Sequence, residues 1–323
     1  MNTQFSATTD RSAGATAARA DELPPALAGE RFTFDGLSCY VAGQGPPLLL
    51  LHSVNAAGSA AEVRPLFNHY RSSRTVFAMD LPGYGFSDRS DRHYTPRLMT
   101  DAVHAMAAEI HRGCGKVPIA GLAVSLSSEF LARAAVERPA DWERLALVSP
   151  TGLDGHKARW GAPGSTRRIP GLHAVLSVPL WGEPLYRLLT TPAVVRYFLQ
   201  RTWGSKAIDE TLWAYETRSA RQPGARYAPL HFLSGGLFSA DIHRVYERLT
   251  QPVWMSHGER GDFTDYRNQG VVEALGNWRF DLFRTGALPY FELPDRFISK
   301  FDAFLRRPQR GAFASEVSRH SRG

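Results

Sequence analysis

The sequence predicts an α/β fold: an open, mostly parallel sheet flanked by helices. Three observations carry that prediction. Short, fully apolar runs alternate along the chain with stretches whose apolar residues recur at helical spacing. Several of the apolar runs end in polar or glycine-rich turns, as parallel strands buried on both faces do. One run ends in a serine and passes directly into a helical pattern, so the chain must turn a tight corner there. Alternating strands and helices imply right-handed crossovers, which place the helices on the faces of the sheet.

The elements follow in order. Pro46-Pro-Leu-Leu-Leu-Leu-His52-Ser-Val-Asn55 is a strand ending in a polar turn. Thr75-Val-Phe-Ala-Met-Asp80 is the next strand, and Leu81-Pro-Gly-Tyr-Gly-Phe-Ser-Asp88 is its Pro/Gly-rich loop. A helix is expected over Arg97 to Glu109. Ile119-Ala-Gly-Leu-Ala-Val-Ser125 is a strand, and Phe130, Leu131, Ala134 and Ala135 mark the helix behind it. Arg144 to Ser149, Pro252 to Ser256 and Trp278 to Phe283 supply further strands, and Ile298 to Leu305 a closing helix. Between Ser149 and Pro252 the pattern is helical from about Thr151 to Ala240, broken at Pro163, Pro170, Pro179, Pro184, Pro192 and Pro223.

The corner at Ser125 is the candidate site. Ala123 and Ser127 stand two residues to either side, and a tight corner needs small neighbours because the returning backbones pass close. The serine hydroxyl would stand exposed, with the amides of a helix N-terminus behind it. A second frame, Gly121-Leu-Ala123-Val-Ser125, fits the same small-residue shape but puts a side chain without a nucleophilic atom at the corner. A serine there also reads as an ordinary helix N-cap.

These segments together resemble the α/β-hydrolase superfamily. The strand ending in His-Gly is matched by His52-Ser53, the Asp-x-Pro-Gly-x-Gly-x-Ser loop by Asp80 to Ser87, and the nucleophile elbow by Ser125 with its glycines replaced by Ala123 and Ser127. The resemblance covers residues 31 to 305 outside the insert. It implies an α/β-hydrolase fold with a core over 29–150 and 241–305 and a helical cap over 151–240. It also implies that Ser125 is the nucleophile and that the amides of Val54 and Leu126 form the oxyanion hole. Relatives with an aspartate nucleophile are set apart by the serine, and by Leu126 where they favour tryptophan.

For the acid, Val253-Trp-Met-Ser-His257-Gly258-Glu-Arg-Gly-Asp262 matches the superfamily's strand, glycine turn and aspartate, which implies Asp262 in that position. Glu259 and Asp265 are its alternatives, and a plain turn aspartate is the bland reading. The base is where the resemblance departs. The usual Gly-His-x-Pro-x-x-Glu-x-Pro is here Gly286-Ala287-Leu-Pro289-Tyr290-Phe-Glu292-Leu-Pro294, with alanine in the histidine's place. No histidine lies between His257 and His320. His257, or one of His156, His173, His231 and His243 in or near the insert, is left as an alternative base. Tyr290 is a further proton-donor candidate, although an ordinary packing aromatic is the simpler reading.

Composition bounds the rest. A chain of 323 residues could hold one large α/β domain or two smaller ones, and the resemblance to the hydrolases favours one domain with a cap. The formal charge of +7 gathers in the insert, with eleven Lys or Arg against five Asp or Glu, and in the last 18 residues. The core is near neutral and carries no basic stripe with interleaved aromatics, so no nucleic-acid partner is expected. Two cysteines, Cys39 and Cys114, give no disulfide framework, no Cys/His spacing suggests zinc, and a cytoplasmic protein fits; no metal and no cofactor are expected. No apolar run is long enough for a membrane span. Residues 1–28 and the basic stretch 306–323 read as disordered tails. The expected substrate is a small, largely apolar molecule, with the insert's charge admitting an anionic one. Hydrolysis of an ester or related bond is the default, with an incomplete triad. A lyase, isomerase or cyclase on the same fold, and a ligand-binding protein without catalysis, remain as alternatives.

Overall fold

The computed structural model describes residues 22–155, 161–178 and 180–307. His156, Trp160, Pro179, His320 and most of the two predicted tails therefore lie outside the described residues. Eight strands form one sheet: β1 (Glu30–Phe34), β2 (Leu37–Ala42), β3 (Pro47–Leu51), β4 (Thr75–Asp80), β5 (Ile119–Val124), β6 (Trp142–Val148), β7 (Val253–Gly258) and β8 (Trp278–Phe283). Their spatial order is β1-β2-β4-β3-β5-β6-β7-β8. The β1–β2 and β2–β4 pairs are antiparallel and every later pair is parallel. The sheet is thus mostly parallel, and the fold is that of the α/β-hydrolases.

The first two strands form a hairpin that the apolar runs do not announce. Asp35 and Gly36 turn it with φ of 47° and 74°, the left-handed pair that a two-residue hairpin turn requires. Strands β3, β4 and β5 sit at the sheet's centre, and every residue of β3 and β5 is buried. Because both faces are covered, alternate residues of one strand serve two cores. Leu49 and Leu51 face one core with Phe77, Met79 and Ala123; Leu48 and Leu50 face the other with Val76, Ala78 and Val124. This is why the strands read as continuous apolar runs.

The helices are α1 (Arg64–Tyr70), α2 (Pro96–Cys114), α3 (Ser127–Glu137), α4 (Leu172–Leu176), α5 (Gly182–Leu189), α6 (Pro192–Trp203), α7 (Glu210–Ser219), α8 (Tyr227–Leu233), α9 (Ile242–Glu247), α10 (Gly270–Glu273), α11 (Pro289–Glu292) and α12 (Pro294–Leu305). Helix α2 starts on a capping residue, Thr95, whose hydroxyl accepts from the Leu98 amide, with Pro96 at the first helical position. Helices α4 to α9 belong to the segment between β6 and β7. None of the described helices is long and apolar enough to cross a membrane.

One boundary needs correction. Residues 22–28 are not a tail: Leu23, Ala26 and Leu27 are buried in the core. The Ala26 amide donates to the Tyr40 hydroxyl at 2.9 Å, and the Tyr215 hydroxyl donates to the Pro24 carbonyl at 3.0 Å. A few apolar residues among alanines and prolines suffice to pin the segment once two tyrosines supply partners for its backbone.

Candidate active site

The corner stands at Ser125, while Ala123 pairs inside β5 with neighbours in β3 and β6. Ser125 has φ of 53°, a left-handed conformation that a residue with a Cβ adopts only at an energetic cost. Its amide donates to the Val148 carbonyl at 2.8 Å, and Leu126 caps the start of helix α3. Small neighbours allow this: the Ser127 hydroxyl bonds the His52 carbonyl, and the Ser128 hydroxyl reaches the Ala123 carbonyl at 3.3 Å.

Ser125 opens onto a cavity of about 110 Å³ whose lining is largely apolar, with Val54, Leu126, Leu199, Phe232, Phe238 and Leu288 among its walls. Larger hollows exist elsewhere on the surface, but they are more open and more polar, and Ser125 lines none of them. Leu199, Phe232 and Phe238 come from the segment between β6 and β7, so that segment supplies part of the cavity wall. The backbone amides of Val54 and Leu126 donate to no described residue, and both residues line the cavity. Two unengaged N–H groups on residues that share a cavity with a strained serine can receive an oxyanion.

Buried polar groups hold the Val54 turn in place. His52 is fully buried, with Nε2 accepting from the Leu81 amide at 3.0 Å and Nδ1 2.6 Å from the Ser53 carbonyl. Burial drives its pKa down to about 4, so the ring is neutral and acts as a bracket between two loops. Ser53 is clamped by Glu62, which takes its amide and, at 2.8 Å, its hydroxyl. Glu62 lines the same cavity as Ser125. Glu216 lies beside it, buried, its Oε1 without a hydrogen-bond partner among the described residues.

The expected acid and base positions lie close together but face different ways. The amide of Ala287 donates to the Thr202 carbonyl at 2.9 Å, and that of Asp262 to the neighbouring Arg201 carbonyl at 3.1 Å. Ala287 lines the cavity and is 4% exposed, and its carbonyl accepts from Ser149 Oγ at 2.7 Å. Asp262 does not line the cavity. Its exposed carboxylate is clasped by the Arg201 guanidinium, Nη2 to Oδ1 at 2.6 Å. The alternative acids turn away too: Glu259 is exposed, and Asp265 pairs with Arg267 at 2.9 Å.

None of the described histidines lines the cavity. His257 lies against Tyr266, ring centres 4.1 Å apart, with Nδ1 3.0 Å from the Gly258 carbonyl, and burial lowers its pKa. His173 stacks on His231 at 3.8 Å, and His243 bonds the Gly152 carbonyl. Tyr290 is buried, and its hydroxyl meets no partner among the described residues. No group of His, Cys, Asp and Glu among the described residues could hold a metal ion.

Sequence reasoning did not single out Ser53, Glu62 or Glu216 as site residues. Ser53 carried a signal, since it replaces the usual glycine after His52. Glu62 carried a misleading one: Ser59-Ala-Ala-Glu62 spells a capping box. Ser59 does accept from the Ala61 amide, but the Glu62 carboxylate is engaged by Ser53 instead.

A sheet of this topology with a strained serine at the end of its central strand defines an α/β-hydrolase. The chain shares 32% identity over 226 residues with the pimeloyl-[acyl-carrier protein] methyl ester esterase of Xylella fastidiosa, a match spanning 68% of this chain and 78% of that protein. It belongs to the α/β-hydrolase superfamily and is hydrolase-like. No family model matches the sequence. Solved structures of the same fold include a serine hydrolase involved in carbazole degradation, at 15% identity and TM-score 0.66, covering 83% of this chain and 94% of that one. Another is the enol-lactonase of Burkholderia xenovorans, at 16% identity and TM-score 0.63, covering 86% and 100%. A third is the 2-hydroxy-6-oxo-6-phenylhexa-2,4-dienoate hydrolase of a Rhodococcus strain, at 16% and 0.65, covering 86% and 98%.

Proposed function

We propose that this protein hydrolyses an ester or related acyl bond in a small, largely apolar substrate held between the sheet and a cap formed by residues 151–240. Ser125 is the nucleophile. The amides of Val54 and Leu126 receive the oxyanion, and Ala287 occupies the position where the superfamily carries its histidine. The carrying observation is the left-handed Ser125 facing an apolar cavity flanked by two unengaged amides. A strained nucleophile and pre-aimed donors supply catalysis before any base is added, roughly 10³ to 10⁴-fold over water in enzymes stripped of their triad.

The cavity's size favours a short acyl group or a small alcohol. The similarity to a methyl ester esterase points the same way, and esters of small alcohols are the first class to try. The protein needs no cofactor for this chemistry, because water is the only co-reactant. Its two cysteines, Cys39 and Cys114, are unpaired, in keeping with a cytoplasmic setting.

A second reading, ligand binding or non-hydrolytic chemistry in the same cavity, draws on one observation. The Arg201–Asp262 pair commits the acid-position carboxylate elsewhere. A panel of p-nitrophenyl esters with short and long acyl chains, run on wild type and Ser125→Ala, separates the two. Turnover that favours short acyl chains and vanishes in Ser125→Ala supports hydrolysis. Turnover indifferent to that substitution, or none at all beside tight ligand binding, rejects it.

A further inference from the structure

The cavity contains a group that can accept a proton, and it is not a histidine. Glu62 is 3% exposed, in the short helical turn Ala60–Val63, and lines the cavity that Ser125 opens onto. Its Oε1 takes the Ser53 hydroxyl at 2.8 Å, and Ser53 lines the same cavity. Asn55 Nδ2, 3.3 Å from Ser53 Oγ, orients that hydroxyl from the other side. Ser53 and Ser125 line the same cavity, of about 110 Å³, so the space they share is open to a small molecule or a water.

We propose that Glu62, acting through the Ser53 hydroxyl, is the proton acceptor that activates Ser125, in place of the missing histidine. The inference rests on the reading of Ser125 as nucleophile. The Ser125 oxygen bonds to the acyl carbon as its proton passes to Ser53 Oγ, and Ser53 hands its own proton to the Glu62 carboxylate. The carbonyl electron pair moves onto the oxygen held by the Val54 and Leu126 amides. When that pair returns, the bond to the leaving oxygen breaks, and the leaving group takes the proton back from Glu62 by the same route. Water then repeats the sequence on the acyl-enzyme and releases the acid.

The surroundings of Glu62 suit the task. Burial pushes its pKa up to about 7, against the opposing pull of the two Ser53 hydrogen bonds. A base is most effective when its pKa lies near the working pH. Glu216, on α7 packed against the same turn, is raised to about 8 by burial and then by repulsion from Glu62. The two carboxyls therefore avoid ionising together, and the two Ser53 hydrogen bonds favour the charge on Glu62. The buried Tyr290 hydroxyl feels both carboxylates. On β4, Asp80 is engaged by the amides of Ala60 and Phe86, and on α1, Arg64 is paired with Asp209. None of these elements pairs a cation with Glu62. Its hydrogen-bond partner among the described residues is Ser53, so that hydroxyl links the carboxylate to the cavity.

The test is the rate at which a fluorophosphonate labels Ser125, located by peptide mass spectrometry, across a pH series spanning neutrality. This needs no knowledge of the substrate. Wild type should label on Ser125 with a rate rising through about pH 7, as Glu62 ionises. Glu62→Gln should label about 100-fold or more slowly, with that pH limb gone. Ser53→Ala, which removes only a hydroxyl, should do the same, and it decides the matter if Glu62→Gln does not fold. Equal rates and the same pH limb in wild type and both variants would overturn the relay while leaving Ser125 as the nucleophile. Failure of wild type to label at all would instead remove the nucleophile reading, and the relay with it.

Discussion

Burying two carboxyls side by side should make this protein lose stability as the pH rises above neutrality. Glu62 and Glu216 have pKa values near 7 and 8 in the folded chain, against 4.5 for a free glutamate. A carboxyl whose folded pKa is raised stays protonated in the native state while the unfolded chain has already ionised. Its contribution is full below about pH 4.5 and is lost progressively until the pH passes the folded value. Two buried histidines work the other way. His52 and His231, both lowered to about 4, make stability rise between about pH 4 and 6.5. Above pH 7 little of that rise remains, a few tenths of a kcal/mol for the pair, so the carboxyl effect stands clear. Each proton held by the native state alone costs about 1.4 kcal/mol for every pH unit climbed. Between about pH 7 and 8.5 the two glutamates together should therefore remove about 1 to 2 kcal/mol. Urea denaturation at closely spaced pH values over that range measures it. Glu216→Gln keeps the shape without the charge and should make the decline clearly shallower, because it removes one ionising carboxyl and its repulsion of the other. A wild type whose stability does not fall across this range, or a variant that falls as steeply, would refute the burial argument.

Three further expectations concern the corner and its neighbours. Ser125→Gly should raise stability by about 1 kcal/mol in thermal or urea melts, because glycine tolerates φ of 53° freely, while abolishing ester turnover. Ala287→His should leave hydrolysis within about threefold of wild type, instead of the roughly 10² to 10⁴-fold that a working base supplies. Position 287 is buried, its backbone is tied to Thr202 and Ser149, and Asp262 is committed to Arg201. Steady-state rates on an activated ester check it. Gly258→Ala should destabilise the fold by more than about 2 kcal/mol, since a Cβ there would overlap the carbonyls of Thr285 and Gly286, and chemical melts read the loss.

What the sequence discloses depends on how local the cause is. Asp80 to Ser87 and the turn into Ser125 are legible because a few adjacent residues dictate the backbone. Gly85 must pack on the Asp80 carboxylate, and small residues must flank the serine. The central strands are legible for a similar reason, being buried on both faces over five or six residues. The β1–β2 hairpin is shorter on apolar residues, and only its Asp35-Gly36 turn marks it. Glu62 could not be read, because its role is set by Ser53 in another loop and Glu216 in the insert, and its own neighbourhood imitates a helix cap. The fate of Asp262 was equally hidden, since the arginine that takes its carboxylate lies in α6, far along the chain.

Everything in the proposed chemistry turns on Ser125 attacking an acyl carbon. That step is tested most directly by mixing the protein with p-nitrophenyl acetate, quenching in acid within the first turnovers and mapping acetylated peptides by mass spectrometry. An acetyl group on Ser125 should accumulate early, disappear as water hydrolyses it, and be absent from Ser125→Ala. Release of p-nitrophenol with no adduct on Ser125, at a rate that Ser125→Ala preserves, would contradict it.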